Sequence, residues 1–283
     1  MSIDSRGSRE IKVSDKVKVG GKTPLFLIAG PCVIESEEHA FSLAGQIKAI
    51  CANIGLPLIF KASYDKANRS SVRSFRGPGL EKGLAVLKRI KHELEIPVLS
   101  DVHETVQVEK AAEVLDVIQI PAFLCRQTDL IIEAARTGKA LNLKKGQFLS
   151  PQEMANAVEK ALSQGNQKII ITERGTSFGY NNLVFDVRSI PLMKKWGFPV
   201  VIDASHAVQR PGGRGEASAG EAEFIPLMVQ TGVAAGADGV FIEVHDNPPQ
   251  ALSDAYNSLI INKLEEVLTR ALRIKKALKE ESE

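Results

Sequence analysis

Long apolar runs are missing from this chain: none approaches the ~20 residues that a membrane-spanning helix needs. The opening stretch, Met1 to Lys22, is polar and lacks the apolar core of a secretory signal, so a cytoplasmic protein is expected. Cysteine is scarce. Cys32, Cys51 and Cys125 are too few and too scattered for a disulfide framework. Cys51 lies among apolar residues and reads as a small buried hydrophobe. An excess of either charge is also missing. The 36 basic and 34 acidic residues leave a net charge of +2, which excludes a broad basic field for nucleic acid but not a local anion site. No Gly-rich dinucleotide fingerprint follows the first apolar run. The Gly-rich segment 212–220 has no Walker lysine and does not directly follow a strand. Its glycines suit a mobile lid, or equally a merely flexible loop.

What is present is 283 residues with 44% apolar side chains, enough for one large core or two small ones. The apolar residues come in eight short runs at 25–29, 58–60, 97–99, 117–120, 140–143, 168–172, 199–202 and 239–243. These runs are rich in Val, Ile and Leu without polar alternation, as strands buried on both faces should be. Helical patterns separate them. In Ser150-Pro151-Gln152-Glu153, the serine can cap, the proline suits the first turn and the glutamate completes a capping box. Strand and helix alternating eight times predicts a (β/α)8 TIM barrel over 24–262, with a doubly wound open sheet as the alternative. The alternating segment 11–22 predicts an N-terminal β-hairpin, a plug for the barrel's lower mouth. Residues 263–283 read as a C-terminal helix and tail. No linker divides the chain, so residues 1–283 read as a single domain.

A TIM barrel carries its active site beyond the C-terminal ends of its strands. In this chain those ends present Cys32; Lys61 and Lys66; Asp101 and His103; Gln119; Asn142 and Lys144; Glu173 and Arg174; Asp203 and His206; and Glu243 and His245. The densest is Lys61-Ala62-Ser63-Tyr64-Asp65-Lys66-Ala67-Asn68-Arg69-Ser70-Ser71, where three cations crowd one loop. Such cations repel one another, and an anion would hold them together. The plainer reading is a solvated basic loop. With Lys144 and Arg174, the cations could hold more than one phosphate or carboxylate. Cys32, His206 and Glu243 are metal-ligand types, and Asp254 could join them. A thiolate, an imidazole and two carboxylates suit Zn²⁺, Fe²⁺ or Mn²⁺. The plainer readings are an inert buried thiol and a core histidine.

The blocks Ala29-Gly30-Pro31-Cys32, Lys61 to Ser71, Ser74-Phe75-Arg76-Gly77-Pro78-Gly79, Gln119 to Gln127, Lys144-Lys145-Gly146-Gln147-Phe148, Thr172-Glu173-Arg174-Gly175 and Glu243-Val244-His245 occur in this order. In them the chain resembles the 3-deoxy-D-manno-octulosonate 8-phosphate synthases. These enzymes of lipopolysaccharide biosynthesis condense phosphoenolpyruvate with D-arabinose 5-phosphate. The resemblance implies a catalytic group of Lys61, Lys66, Asp101 and His206. It implies phosphoenolpyruvate at Lys61, Lys66, Gln119, Pro121, Ala122, Lys144 and Arg174. It implies arabinose 5-phosphate at Ser63, Asn68, Arg69, Ser70 and Phe123, with Arg126 reaching it from another subunit of a homotetramer. Metal-independent members carry Asn where this chain has Cys32. The resemblance therefore implies the metal-dependent class, with Cys32, His206, Glu243 and Asp254 as ligands of a divalent ion. Asp254-Ala255-Tyr256-Asn257 departs from the family in lacking a frequent Gly-Pro. The nearest alternative is the related synthase that takes erythrose 4-phosphate, which carries Lys-Pro-Arg-Thr where this chain has Lys66-Ala67-Asn68-Arg69-Ser70. A non-catalytic phosphosugar sensor is the alternative from another class.

Overall fold

The computed structural model describes residues 8–69, 71–214 and 217–280. Eight parallel strands close into a barrel: β1 Phe26–Gly30, β2 Leu58–Lys61, β3 Val98–Asp101, β4 Val117–Ile120, β5 Ala140–Lys144, β6 Ile169–Glu173, β7 Val200–Asp203 and β8 Gly239–His245. Each pairs with the next, and β8 closes the ring onto β1 through Gly239 opposite Phe26. The expected TIM barrel is therefore the architecture. Every strand starts and ends within two residues of its apolar run. The main difference is at the C-terminal ends, where Lys61, Asp101, Lys144, Glu173, Asp203 and His245 extend the ladder. Backbone pairing continues there after apolar character has stopped, because side chains facing the barrel's mouth need not be apolar.

Eight helices surround the strands: α1 Glu37–Asn53, α2 Leu80–Leu94, α3 Thr105–Val114, α4 Thr128–Arg136, α5 Met154–Leu162, α6 Ser189–Lys194, α7 Ile225–Ala234 and α8 Leu264–Glu280. Ser36 caps α1 by accepting from the His39 amide. Ser150 and Glu153 form the expected capping box, on a short 3₁₀ turn that leads into α5. Helix α8 packs against α7 and α1 and buries Leu264, Val267, Leu268 and Ala271, so it completes the ring as the eighth helix. No helix among the described residues is long and apolar enough to cross a membrane.

Two cores result. One lies between the strands and the helices. The other fills the lower barrel with Phe26, Ile28, Ile59, Leu99, Val117, Ala140, Ile170, Val201 and Phe241. The N-terminal hairpin, Ile11–Lys12 paired with Lys18–Val19, adds Ile11, Val13, Val17 and Val19 to this second core. The hairpin is thus the plug its alternating pattern implied. Gly239 leaves room for the Phe26 ring, which lies 2.6 Å from where a β-carbon would stand. The Gly-rich segment, expected as a lid or a flexible loop, pairs Gln209–Arg214 with Ala217–Gly220 as an antiparallel ribbon. Gly215 and Glu216 of that segment lie outside the described residues.

Because Ile11 is buried in the plug, Ile11→Ala is expected to destabilise the fold by about 2–5 kcal/mol. Denaturant unfolding measures this. A midpoint equal to that of the parent would show that the hairpin does not support the barrel.

Candidate active site

Strand side chains alternate with a period of two, so every second residue points into the barrel. Two residues above the apolar ring of the lower core stand Lys61, Asp101, Gln119, Asn142, Thr172, Asp203 and Glu243, all buried. The same alternation that fills the base therefore places polar groups at the mouth. Phe241 is the floor between the two layers: Lys144 Nζ lies 3.7 Å and Lys61 Nζ 5.6 Å from its ring centre. An aromatic face next to ammonium groups is favourable through its quadrupole. Across β4, β5 and β6, Thr172 Oγ1 donates to Asn142 Oδ1 at 2.6 Å, and Asn142 Nδ2 donates to Gln119 Oε1 at 2.9 Å. This chain occupies the Gln119 carbonyl oxygen and leaves its NH₂ group for the cavity.

The cavity above this layer measures about 360 Å³ and is edged by Lys66, Asn68, Arg69, Lys144 and Arg174. Lys144 is paired with Asp203. Burial pushes Lys144 down to about 8; Asp203 opposes the drop, and Arg174 and Lys61 add to it. Burial also works against the Lys66 ammonium, but Cys32, Asp101, Glu243 and Asp254 outweigh it and hold its pKa above the ordinary lysine range. Arg174 Nη2 donates to Gln209 Oε1 at 2.7 Å. Arg69 Nη1 donates to Ser253 Oγ at 2.8 Å. The loop bearing Lys66 and Arg69 is braced by Arg76, whose Nε donates to Asp65 Oδ1 at 2.8 Å and whose carbonyl accepts from the Lys66 amide at 2.8 Å. Asp101 accepts from Ser63 Oγ and lies 3.1 Å from His103 Nε2. Burial would raise its pKa, yet Lys66 and His103 keep it well below the usual carboxylate range.

Beside the cations, Cys32, Glu243 and Asp254 each bring a ligand atom within 4.8 Å of the other two. Cys32 Sγ lies 3.0 Å from Ser253 Oγ and 3.1 Å from Asp254 Oδ2. His206 Nε2 stands 3.7 Å from Glu243 Oε1 and 3.9 Å from Asp254 Oδ2. The other His206 nitrogen, Nδ1, is 2.8 Å from Asp203 Oδ2, and that carboxylate also accepts from the His206 amide at 2.9 Å. A carboxylate on Nδ1 fixes the ring so that Nε2 faces the cluster. Asp254 has φ = +48°, a left-handed conformation that Asp tolerates. Burial raises the Cys32 thiol, and the neighbouring Asp254 and Glu243 raise it further. Glu243 resists burial through Lys61, His206 and Lys66, which lower it to about 2.

The structure brings most of the sequence-derived candidates to this one cavity. Lys61, Lys66, Asn68, Arg69, Asp101, Gln119, Pro121, Ala122, Phe123, Lys144, Arg174, His206 and Asp254 line it. Cys32, Ser63 and Glu243 are buried just behind it. Lys61 Nζ donates to Cys32 O and Glu243 Oε1, both at 2.8 Å, so it is turned toward the thiol side. Arg126 is exposed and outside the cavity, and Ser70 lies outside the described residues. Glu173 faces away: its Oε1 accepts from the Arg174 and Gly175 amides, and Lys145 lies 3.4 Å from it. Gln209 and Glu104 on the cavity wall were not anticipated, and no local pattern marks them. In the sequence Asp203 reads only as a strand-end residue. Its spacing three residues before His206 is the signal that could have revealed its role.

The sequence profile of the DAHP synthetase I family matches residues 8–280. A 2-dehydro-3-deoxyphosphooctonate aldolase of Geotalea uraniireducens is 58% identical over 262 residues, covering 93% of this chain and 96% of that protein. Proteins of the same name from Geobacter metallireducens and Geobacter sulfurreducens are 56% and 54% identical over 263 residues, again covering 93% of this chain and 96% of theirs. With matches of this extent, the chain belongs to the DAHP synthetase I family, and its sequence groups with the 2-dehydro-3-deoxyphosphooctonate aldolases within it.

Proposed function

We propose that this protein condenses phosphoenolpyruvate with D-arabinose 5-phosphate and water, giving 3-deoxy-D-manno-octulosonate 8-phosphate and inorganic phosphate. The observation that carries the proposal is a cavity whose wall sets Lys66, Arg69, Lys144 and Arg174 beside His206 and Asp254, with Cys32 and Glu243 grouped with Asp254 just behind it. Two polyanions must be brought together, and fixed cations in a water-poor site both attract and orient them. Lys144, Arg174 and Lys66 hold phosphoenolpyruvate, and the free NH₂ of Gln119 donates to it beside Pro121 and Ala122. Asn68, Arg69 and Ser70 receive the sugar phosphate, with Ser63 and Phe123 beside the sugar. Carbon 3 of phosphoenolpyruvate forms the new bond to the aldehyde carbon, whose oxygen takes a proton. Water then adds at carbon 2, and the bond from carbon 2 to the phosphate oxygen breaks. The Asp101 carboxylate orients Ser63 and His103 at the reacting end.

The donor set fits a divalent ion. Glu243 Oε2 is buried without a hydrogen-bond partner, and two carboxylates converge on a thiol whose ionisation they oppose. A cation would satisfy the first and reverse the second. Cys32, His206, Glu243 and Asp254 would hold Zn²⁺, Fe²⁺ or Mn²⁺. When bound, the ion supplies orientation and weak polarisation of the aldehyde. Arg126 is exposed, and Phe123 and Phe148 are 51% and 52% exposed. These exposed groups are available to an interface, and we place Arg126 at a neighbour's sugar phosphate in a homotetramer. The reading is that of a cytoplasmic enzyme.

Phosphate release measured side by side with the two aldoses tests the substrate. Arabinose 5-phosphate is expected to exceed erythrose 4-phosphate in kcat/KM by at least about tenfold, or ~1.4 kcal/mol. The rate is expected to vanish on chelation and return with divalent metal. Equal or better use of erythrose 4-phosphate contradicts the substrate assignment, and full turnover by verified metal-free protein contradicts the metal assignment. The depressed Lys144 supplies a second test. Its ammonium is present below about 8 and is lost as pH rises through that value. The kcat/KM for phosphoenolpyruvate should therefore fall on that alkaline limb, and Lys144→Arg, which stays charged, should move the limb upward. An identical limb in the variant would show that another group titrates.

A further inference from the structure

We propose a second divalent-cation site, formed by Glu35, His39 and His245 just outside the active-site cavity. Each of the three offers a ligand atom within 4.8 Å of the others. His245 is only 5% exposed, yet its Nε2 has no hydrogen-bond partner and points at Glu35 Oε1, 3.5 Å away. His39 Nδ1 is likewise buried without a partner. The opposite nitrogens of both rings converge on one carboxylate oxygen. His39 Nε2 and His245 Nδ1 each lie 3.0 Å from Asp246 Oδ1. At His39, a carboxylate that accepts from Nε2 fixes the tautomer and leaves a lone pair on Nδ1, the arrangement that orients histidines on metals. The two ring centres lie 4.6 Å apart with their planes tilted by 41°. The Asn247 amide is shared between Asp246 Oδ1 at 3.0 Å and His245 Nδ1 at 2.9 Å. While Nδ1 of His245 accepts from that amide, Nε2 carries the ring proton; a cation at Nε2 selects the other tautomer, in which Nδ1–H donates to Asp246 Oδ1.

Two imidazoles and a carboxylate are the donors of an open tetrahedral zinc site, with water as the fourth ligand. The three side chains come from separate elements: the segment after Cys32, the first turn of α1, and the end of β8. Glu35 Oε1 also accepts from the Leu252 amide at 2.7 Å. An ion there would tie α1 and β8 to the segment that carries Ser253 and Asp254. None of this depends on the function proposed above, because none of the three residues lines the cavity.

Cobalt(II) titration of chelator-treated full-length protein tests the proposal, using equilibrium dialysis for stoichiometry and absorption for ligand type. Two equivalents per chain are expected. One should show thiolate-to-cobalt charge transfer, and one should lack it. His39→Leu should lose the equivalent without that band and keep the other. Glu35→Gln keeps an acceptor for Leu252 and should weaken the same equivalent at least ~10-fold. A single equivalent carrying the band, or a second equivalent unchanged in both variants, overturns the site. A single equivalent without the band would support this site and count instead against Cys32 as a ligand.

Discussion

The site depends on one buried carboxylate. Asp203, at the end of β7, is fully buried, pairs with Lys144 and accepts from both His206 Nδ1 and the His206 amide. Burial alone would protonate it. His206, Lys144 and Arg174 overcome that cost and hold it far below the usual carboxylate range. A buried charge of this kind is tolerated only while its partners are present. Lys144 and His206 are therefore positioned by the same two oxygen atoms. The halves of the site to which phosphoenolpyruvate and a divalent ion are assigned in the proposal share this one carboxylate.

The barrel makes that unit possible by simple alternation. Inward positions are apolar at the base, where the N-terminal hairpin closes them off, and polar two residues higher. Phe241 marks the change, with two ammonium groups over its ring. Neighbouring residues are sent to opposite sides. Lys144 enters the cavity, whereas Lys145 is buried behind it, donating to Gly175 O at 2.9 Å and Thr176 Oγ1 at 3.0 Å. Two adjacent lysines thus serve unrelated ends, one facing the cavity and one fixing the loop after β6.

The barrel was legible because buried parallel strands leave uninterrupted Val, Ile and Leu runs, and Gly or capping residues mark the helices between them. The cavity was legible because its charged and polar lining lies at or just past the ends of those runs. What escaped was set by three-dimensional pairing. Arg69 reads as a free phosphate binder in sequence, yet here it donates to Ser253, which also touches the Cys32 thiol. The Gly-rich 212–220 segment reads as a flexible loop because glycine has no pattern of its own, but backbone pairing makes it a ribbon. His39 and His245 are 206 positions apart, and no spacing rule connects them. Only closure of β8 onto β1 brings them together.

The central claim is that Asp203 positions both halves, and Asp203→Asn tests it with its shape retained. Phosphoenolpyruvate affinity measured on metal-free protein, and cobalt affinity measured without substrate, should each weaken by roughly 10–100-fold. Loss of one affinity with the other unchanged, or no loss in either, would contradict the claim that a single carboxylate holds the two together.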